Sequence, residues 1–285
     1  MATSGPVRVA VLGRPGCGRR TVARALLGGG VEVAGPQAPV DVDVYVLTET
    51  LKPEDRAALT RPPRPRVAIL NKADLAGFGG PGPLTVAADR CRRLQPEIDT
   101  PILPLAALLA AAVLDDATLA ALRVLTAQPA NLGATDAFLA GEHPVSREVR
   151  QRLLTDLDLF GIAHAVVALR EGAGLVGTAV ALRRASGLDP VLAAIARAGA
   201  SARYRRLADG ASTAARMAAA TQVVEADGMA VDRGEDADAH LRRAITWQRY
   251  SRGPVSDLHR RCALDIVRGS LQRWEGAGGR PEVVA

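Results

Sequence analysis

The chain has 285 residues, a formal charge of +6 and an isoelectric point near 9.9, and this length allows one large domain or two ordinary ones. No apolar run approaches the ~20 residues that cross a bilayer, and the first strand-like segment leaves no room for a signal peptide, so we expect a cytosolic protein. The cysteines, Cys17, Cys91 and Cys262, are odd in number and far apart, which argues against a disulfide framework and a zinc knuckle and predicts reduced thiols.

The first half of the sequence alternates strand-like and helix-like segments, which is typical of an α/β domain with a parallel sheet. The predicted strands are short continuous apolar runs, as expected when both faces of a sheet are covered, and they span 7–12, 42–47, 66–70 and 101–105. The predicted helices span 19–27, 53–60, 84–94 and 115–125.

The strand signal disappears after a passage rich in Pro, Gly and Asn, from Gln128 to Pro144. From Ser146 onward apolar residues recur at helical spacing. Glycines mark the expected breaks between helices, at 172–174, 187, 210, 234 and 253–254. The acidic stretch 225–240 is predicted to form a loop. The sequence therefore predicts a parallel-sheet domain over 1–130 and an all-helical domain over 145–285.

A glycine-rich stretch, GRPGCGRRT from Gly13 to Thr21, directly follows the first predicted strand. A phosphate-binding P-loop reads G-x-x-x-x-G-K-[ST], and Gly13 and Gly18 stand at that spacing. In such a loop the backbone N–H groups at the start of the next helix bind phosphate whatever the side chains are. The predicted phosphate-binding residues are Gly13, Gly16, Cys17, Gly18, Arg19, Arg20 and Thr21.

Two arginines depart from that motif. Arg19 takes the place of the lysine, where it can supply charge although its planar fork is bulkier. Arg20 stands where a metal-binding Ser or Thr belongs and cannot ligate a metal. Thr21 is one residue late, which turns it about 100° around the helix from the required direction. We therefore predict no metal site and no complete Mg²⁺ shell.

A second motif, NKADL from Asn71 to Leu75, follows the third predicted strand and matches the N-K-x-D pattern that recognises guanine. It lies where open α/β sheets bind ligands, at the carboxyl end of a strand. The Asp74 carboxylate would accept hydrogen bonds from the guanine ring N–H and exocyclic amine, a pair that adenine does not offer. Lys72 would lie along the base, and Asn71 would join this loop to the glycine-rich loop. The alternative is a simple turn.

A third, weaker signal lies after the fourth predicted strand, in the stretch Leu105 to Leu108. GTPases carry an S-A-[KL] motif at this point of the chain, with backbone N–H groups that contact the guanine carbonyl oxygen. An alanine replaces the usual serine, which a backbone contact tolerates. The residues predicted to contact guanine here are Ala106, Ala107 and Leu108.

Four segments in this order, VRVAVLGRPGCGRRT, DVDVYVLTE, VAILNKADL and PILPLAALLA, resemble the GTPase domain of P-loop GTPases of the TRAFAC type. The chain resembles the actinobacterial dynamin-like GTPases in particular, although its second half is alike only in general pattern. This resemblance implies a reduced P-loop NTPase-like domain followed by a helical domain, with GTP or GDP as ligand. It also implies assembly with a paralogous GTPase or a second copy, or peripheral contact with a membrane.

The region between Thr21 and Asn71 lacks the D-x-x-G turn that senses the γ-phosphate in a hydrolysing GTPase. From Gly28 to Asp41 the chain is too short for both switch regions, so we infer that they are deleted. This predicts a pseudo-GTPase with absent or weak hydrolysis that acts as a regulator or assembly partner, with no catalytic residue. Two alternatives stay open, a nucleotide-free scaffold and an active dynamin-like GTPase that a partner completes.

Other candidate sites are weaker. The four histidines have no metal-ligand spacing, and Cys262, one turn from His259, is expected to pack in a core. Arginines of the helical half could bind phosphate groups or form a solvated face; they are Arg203, Arg205, Arg206, Arg242, Arg243, Arg260 and Arg261. Aromatic residues make up only 3% of the chain, so a nucleic-acid partner is not favoured.

Overall fold

A five-stranded parallel sheet forms the centre of the first half of the protein. The computed structural model describes residues 6–35, 38–77, 80, 82–208 and 210–280. The strands lie in the order β2-β1-β3-β4-β5 and are β1 (Arg8–Gly13), β2 (Glu32–Val33), β3 (Val42–Leu47), β4 (Arg66–Asn71) and β5 (Ile102–Leu105). The four predicted strands are confirmed to within one residue at each end, whereas the two-residue β2 is missing from the prediction because it is too short to show a pattern.

The parallel pairing brings the carboxyl ends of neighbouring strands to one edge of the sheet. Val44 pairs with Val67 across β3 and β4, and Asn71 pairs with Leu105 across β4 and β5. Every residue of β3 is buried, as expected for a strand that is covered on both faces. The loops that follow these strands therefore lie side by side.

Five helices follow the strands in the alternating half: α1 (Arg19–Gly28), α2 (Pro53–Leu59), α3 (Pro83–Leu94), α4 (Ala107–Ala110) and α5 (Asp116–Ala127). Pro53 opens α2 as its first residue, where the missing N–H has no helical partner to lose. Asp115 caps α5 by accepting a hydrogen bond of 2.7 Å from the Thr118 N–H. Four of the five are confirmed within two residues, and the single turn of α4 was not predicted.

The rest of the chain is helical, as predicted, and consists of α6 (Thr135–Leu139), α7 (Arg147–Arg170), α8 (Leu175–Ser186), α9 (Leu188–Ala208), α10 (Thr213–Ala226), α11 (Ala237–Ser251) and α12 (Asp257–Gly276). Serine side chains cap three of these helices, at Ser146, Ser212 and Ser256. The predicted glycine breaks separate them. The predicted loop between α10 and α11 covers 227–236, so both ends of the acidic stretch 225–240 are helical instead.

Two compact units divide the chain. One comprises the described residues of 9–38 and 43–194, and its core contains Leu26, Leu47, Leu105 and Leu122. The other comprises 6–8, 39–42 and 195–280 of the described chain, and Trp247 lies in its core with Cys262. The division falls inside α9, between Ala194 and Ile195, so α7 and α8 group with the sheet. The predicted domain boundaries, 1–130 and 145–285, stay a prediction.

A break in helical geometry interrupts α7 at Asp158, which has φ 57° and ψ 173°. This conformation is rare for any residue with a side chain and costs about 1–3 kcal/mol. The Asp158 carboxylate accepts a hydrogen bond of 2.6 Å from the N–H of the next residue, Leu159. In effect, two helical segments meet at this residue.

Two arginines that were predicted on a solvated or phosphate-binding face are buried. Arg243 donates from Nε to Ser270 Oγ at 3.0 Å and from Nη1 to the carbonyls of Asp232 and Gly234. Arg203 is also buried and donates from Nη1 to Gln222 Oε1. Neither arginine can act as a surface docking group. All three cysteines are free, as predicted, and all three are buried, of which the sequence predicted only the core position of Cys262.

In the part of the chain that the structure describes, no helix has both the length and the apolar character that a transmembrane segment requires.

Candidate functional site

The loop between β1 and α1 is shaped by three glycines with positive φ, Gly13 (134°), Gly16 (82°) and Gly18 (89°). These angles are natural for glycine and strained for residues with a side chain. Gly13 also has no room for a Cβ atom, which would lie 2.3 Å from the Val46 carbonyl oxygen. Gly16 faces open space, with nothing within 4 Å of an added Cβ. The loop therefore lies close against β3 at one end and is open in its middle.

The first turn of α1 has no side-chain cap and no acidic residue, and its N-cap is Gly18. The N–H groups of this turn are thus left for an anion or for water. Arg19 and Arg20 are exposed, and their guanidinium groups have no hydrogen bond or ion pair with any described residue, whereas Thr21 is half-buried. The amino-terminal end of α1 consequently carries two free positive charges.

Cys17 is the buried residue of this loop. Its Sγ donates a hydrogen bond of 2.9 Å to the Arg14 carbonyl. Burial raises the pKa of the Cys17 thiol, with Arg19 acting weakly in the opposite direction. A thiol that is buried and held protonated is a packing group, so its contribution to ligand binding would come from its backbone.

Asn71, the last residue of β4, joins the three predicted loops. Its Nδ2 donates to the Cys17 carbonyl at 2.9 Å, and its Oδ1 accepts from the Ala107 N–H at 3.3 Å. The side chain is 5% exposed, so these bonds satisfy an amide that water cannot reach. The hydrogen bond that the sequence predicts between NKADL and the glycine-rich loop is present.

The fit of Asn71 also explains Gly18. A Cβ atom at residue 18 would lie 2.3 Å from Asn71 Nδ2. Only glycine lets the amide approach the loop, and only this approach lets the amide reach Cys17.

The rest of NKADL forms a tight turn. Lys72 has φ 58° and ψ 38° and is exposed, and the Leu75 N–H donates to its carbonyl at 3.0 Å. Asp74 lies in the following 3₁₀ turn (Ala73–Leu75) and is half-buried. Burial raises the pKa of the Asp74 carboxyl, and the nearby negative charge of Asp158 raises it further. The Asp74 backbone N–H and the Lys72 charge act in the opposite direction. Asp74 is thus a partly desolvated carboxylate that forms no ion pair with a described residue.

The turn after β5 offers fewer free donors than the sequence predicts. The Ala106 N–H donates to the Ser186 carbonyl at 2.9 Å, and the Ala107 N–H is bound to Asn71. Of the three residues predicted to contact a guanine carbonyl, Leu108 is therefore the one whose N–H has no such partner within the described chain.

A cavity of about 60 Å³ beside Asn71 is far smaller than the roughly 300 Å³ of ligand pockets, so a base would lie on the open surface.

A buried cluster that the sequence analysis missed holds the glycine-rich loop against α2. Arg14 Nε donates to Asp55 Oδ1 at 3.0 Å, and the Tyr45 hydroxyl donates to the same oxygen at 2.9 Å. Asp55 Oδ2 accepts from the Lys52 N–H at 3.0 Å. Asp55 is fully buried; burial pushes its pKa up, but these three hydrogen bonds outweigh it and lower the pKa. The available signal was the capping pattern Lys-Pro-Glu-Asp at the start of α2.

Among the described residues, no group of three or more His, Cys, Asp or Glu side chains is placed to hold a metal ion. Comparison of the chain with protein-family profiles, with curated protein sequences and with solved structures gave no significant match.

The buried Asp55 and the half-buried Asp74 should respond in opposite ways to neutralisation. Asp55→Asn should lower the free energy of unfolding by about 2–3 kcal/mol at pH 7, because it removes the buried carboxylate that pairs with the Arg14 guanidinium. Since the folded-state pKa is lowered, this loss should be complete above the unfolded pKa of about 3.9 and should vanish as the pH falls through the folded value. Asp74→Asn should instead raise the melting temperature at pH 7, because it removes a desolvated charge. Urea and thermal unfolding at pH 7 and at pH values from about 4 down to about 2 measure both, and a stabilising Asp55→Asn would contradict the cluster.

A matched pair of glycine variants tests the contact with Asn71. Gly16→Ala and Gly18→Ala impose the same backbone strain, about 1–2 kcal/mol for a left-handed alanine. Only Gly18→Ala drives a Cβ into Asn71, so it should cost roughly 1–3 kcal/mol more as the buried amide loses its partners. Urea denaturation measures the difference, and equal losses would show that the amide moves aside freely.

Proposed function

We propose that this chain is a reduced P-loop GTPase-like protein that binds a guanine nucleotide through its three loops and hydrolyses it slowly or not at all. The observation that carries the proposal is the buried Asn71 amide, which hydrogen-bonds the glycine-rich loop on one side and the turn after β5 on the other. This brings a phosphate-binding pattern and a base-recognition pattern together at the carboxyl edge of a parallel sheet, where such sheets bind ligands.

The base would be read by Asp74 and Leu108. A carboxylate offers two acceptors, which match the ring N–H and exocyclic amine of guanine, while the Leu108 N–H would donate to the guanine carbonyl oxygen. Adenine presents neither the two neighbouring donors nor the carbonyl oxygen in that arrangement. The raised pKa of Asp74 supports this role, because a carboxylate without a partner gains most from a ligand that brings two donors.

The phosphates would lie at the glycine-rich loop. Gly16 leaves the space in front of the backbone open, and the uncapped first turn of α1 supplies N–H donors. Arg19 and Arg20 would supply positive charge. Because Arg20 replaces the metal-binding hydroxyl, we infer that the nucleotide is held with little help from Mg²⁺.

Weak hydrolysis follows from what the sequence lacks. No D-x-x-G turn lies between Thr21 and Asn71, and only the two residues of β2 form a strand between α1 and β3 in the described chain. A γ-phosphate sensor and a group that positions water have no candidate residue there. The resemblance to dynamin-like GTPases then supports a role as regulator or assembly partner, with a paralogous GTPase, a second copy or a membrane surface as the partner.

The rival function is a scaffold that binds no nucleotide. The Arg14–Asp55–Tyr45 cluster favours it, because this cluster holds the glycine-rich loop by protein contacts alone. A loop that keeps its shape without phosphate could be retained for structure. Direct binding measurements separate the two functions.

Calorimetry with GDP, GTP and ADP tests the proposal. Wild-type protein should bind GDP or GTP at micromolar to high micromolar concentration and should not bind ADP. Asp74→Asn should reverse the base preference toward xanthosine diphosphate, which presents one donor and one acceptor where guanine presents two donors. Asp116→Asn, an exposed aspartate in the first turn of α5, is the matched control. Absence of guanine-nucleotide binding would leave the scaffold function.

The pH dependence of GDP binding gives a further test of Asp74. Base recognition needs ionised Asp74, and burial raises its pKa, so GDP affinity should fall as the pH drops through this raised value. The loss should begin at a higher pH than the ordinary aspartate pKa of about 3.9 would give. An affinity that is flat down to pH 4 would argue against Asp74 as the acceptor.

Arg20→Ser tests the missing metal ligand. The serine hydroxyl restores the P-loop pattern, so GDP or GTP affinity should become Mg²⁺-dependent by roughly tenfold or more, about 1.4 kcal/mol. Wild type and Arg24→Ser, an exposed arginine one turn further along α1, should show little Mg²⁺ dependence. Titrations in the presence of about a fivefold excess of Mg²⁺, or of a chelator, compare the three proteins. Strong Mg²⁺ dependence of wild type would contradict the role given to Arg20.

A further inference from the structure

The last two helices leave an apolar groove open to solvent. α11 and α12 run antiparallel, since Arg243 is bonded to Ser270 near one end of the pair and Tyr250 to His259 near the other. The groove between them has a volume of about 610 Å³. Its apolar side chains are Leu241, Ala244, Ile245, Val267 and Leu271. Ile245 is 54% exposed, which is unusual for a large apolar side chain at the centre of a groove.

The spacing on α11 is that of a helix that packs against another helix. Leu241, Ile245, Gln248 and Arg252 follow one another at intervals of four, three and four residues, which places them on one face. Val267 and Leu271 form the matching stripe on α12. Every residue that lines the groove on this α11/α12 face belongs to α11 or α12 or, in the case of Arg252, caps α11.

The charges at the two ends of the face have opposite signs. Asp238 lies one turn before Leu241, while Arg249 and Arg252 lie at the other end of α11. The antiparallel arrangement brings Glu275 of α12 to the same end as Asp238. All four charged side chains are exposed, and none has a hydrogen bond or ion pair with another described residue. Beside its apolar middle, the α11/α12 face thus carries two unpaired acidic side chains at one end, where Arg242 and Arg273 are already paired with Asp232 and Glu235, and two unpaired arginines at the other.

This order of charges is self-complementary. A two-fold rotation lays the negative end of one copy on the positive end of the other and the apolar middle on itself, as a two-fold interface requires. A uniformly acidic helix would meet repulsion at Asp238 and Glu275, and a basic one at Arg249 and Arg252. We propose that the α11/α12 face is a two-fold interface between two copies of this chain.

The size of the face sets the expected strength. The 15 residues of α11 span about 22 Å at 1.5 Å per residue. Two helices side by side, each about 10 Å wide, make this face about 20 Å across, so it covers roughly 400 Å² per copy. This is about half of the ~800 Å² that each partner buries in a standard interface. We therefore expect a reversible dimer with a dissociation constant in the micromolar range.

Sedimentation equilibrium of the full chain, without nucleotide, tests this interface over protein concentrations from about 1 to several hundred micromolar. Ile245→Glu puts a charge at the apolar centre and should raise the dissociation constant at least about tenfold. Val180→Glu, at a valine of α8 that is 60% exposed, is the matched control and should leave it unchanged. A wild-type monomer at all concentrations, or equal effects of the two variants, would overturn the proposal.

A charge exchange tests the two-fold arrangement itself. Arg252→Glu and Asp238→Arg should each weaken the dimer, because each sets like charges against the partner, and the combined variant should restore it. Thermal unfolding followed by circular dichroism checks that every variant is folded. A combined variant that stays weak overturns the arrangement, and so does wild type that stays monomeric but binds an acidic helical peptide. Since no nucleotide is present, these outcomes are independent of guanine binding.

Discussion

One buried amide determines the candidate site. Asn71 hydrogen-bonds the Cys17 carbonyl and the Ala107 N–H, so three stretches that are far apart in the sequence form one surface. Because a buried amide must be satisfied, the position of each loop constrains the others. Gly18 belongs to the same constraint, since any side chain at residue 18 would overlap the Asn71 amide.

Around this amide, the buried Asp55 and the half-buried Asp74 have opposite environments. Asp55 accepts three hydrogen bonds and holds the glycine-rich loop through Arg14, whereas Asp74 is partly desolvated and near another carboxylate. The first arrangement stabilises the fold. The second is unfavourable unless a ligand with hydrogen-bond donors arrives, and polar groups left in this state are where binding sites are expected. Under the proposed function, the loop that would hold the phosphates is kept in shape by protein contacts, and the side that would hold the base would gain from occupancy.

In the second compact unit, some arginines are buried or ion-paired and stabilise the fold, while others are exposed. Arg243 is buried and fully hydrogen-bonded, and Arg206 forms a paired contact with Asp41. Arg249 and Arg252 remain exposed beside an apolar groove. Nucleotide binding and self-association would use different helices and different loops, so variants of one need not disturb the other.

The sequence by itself determined the local structure: the apolar runs of four strands, the helical spacing after Ser146, the glycine breaks and the order of the three motifs. Each of these depends on neighbours within a few residues. Only the tertiary structure decided that Asp55, 41 residues from Arg14, holds the glycine-rich loop, that Ser186 uses the Ala106 N–H, and that Asp158 bends α7. It also decided which arginines are buried. The physical reason is that burial and hydrogen bonding between distant residues depend on how elements pack, which periodicity and motif spacing do not record.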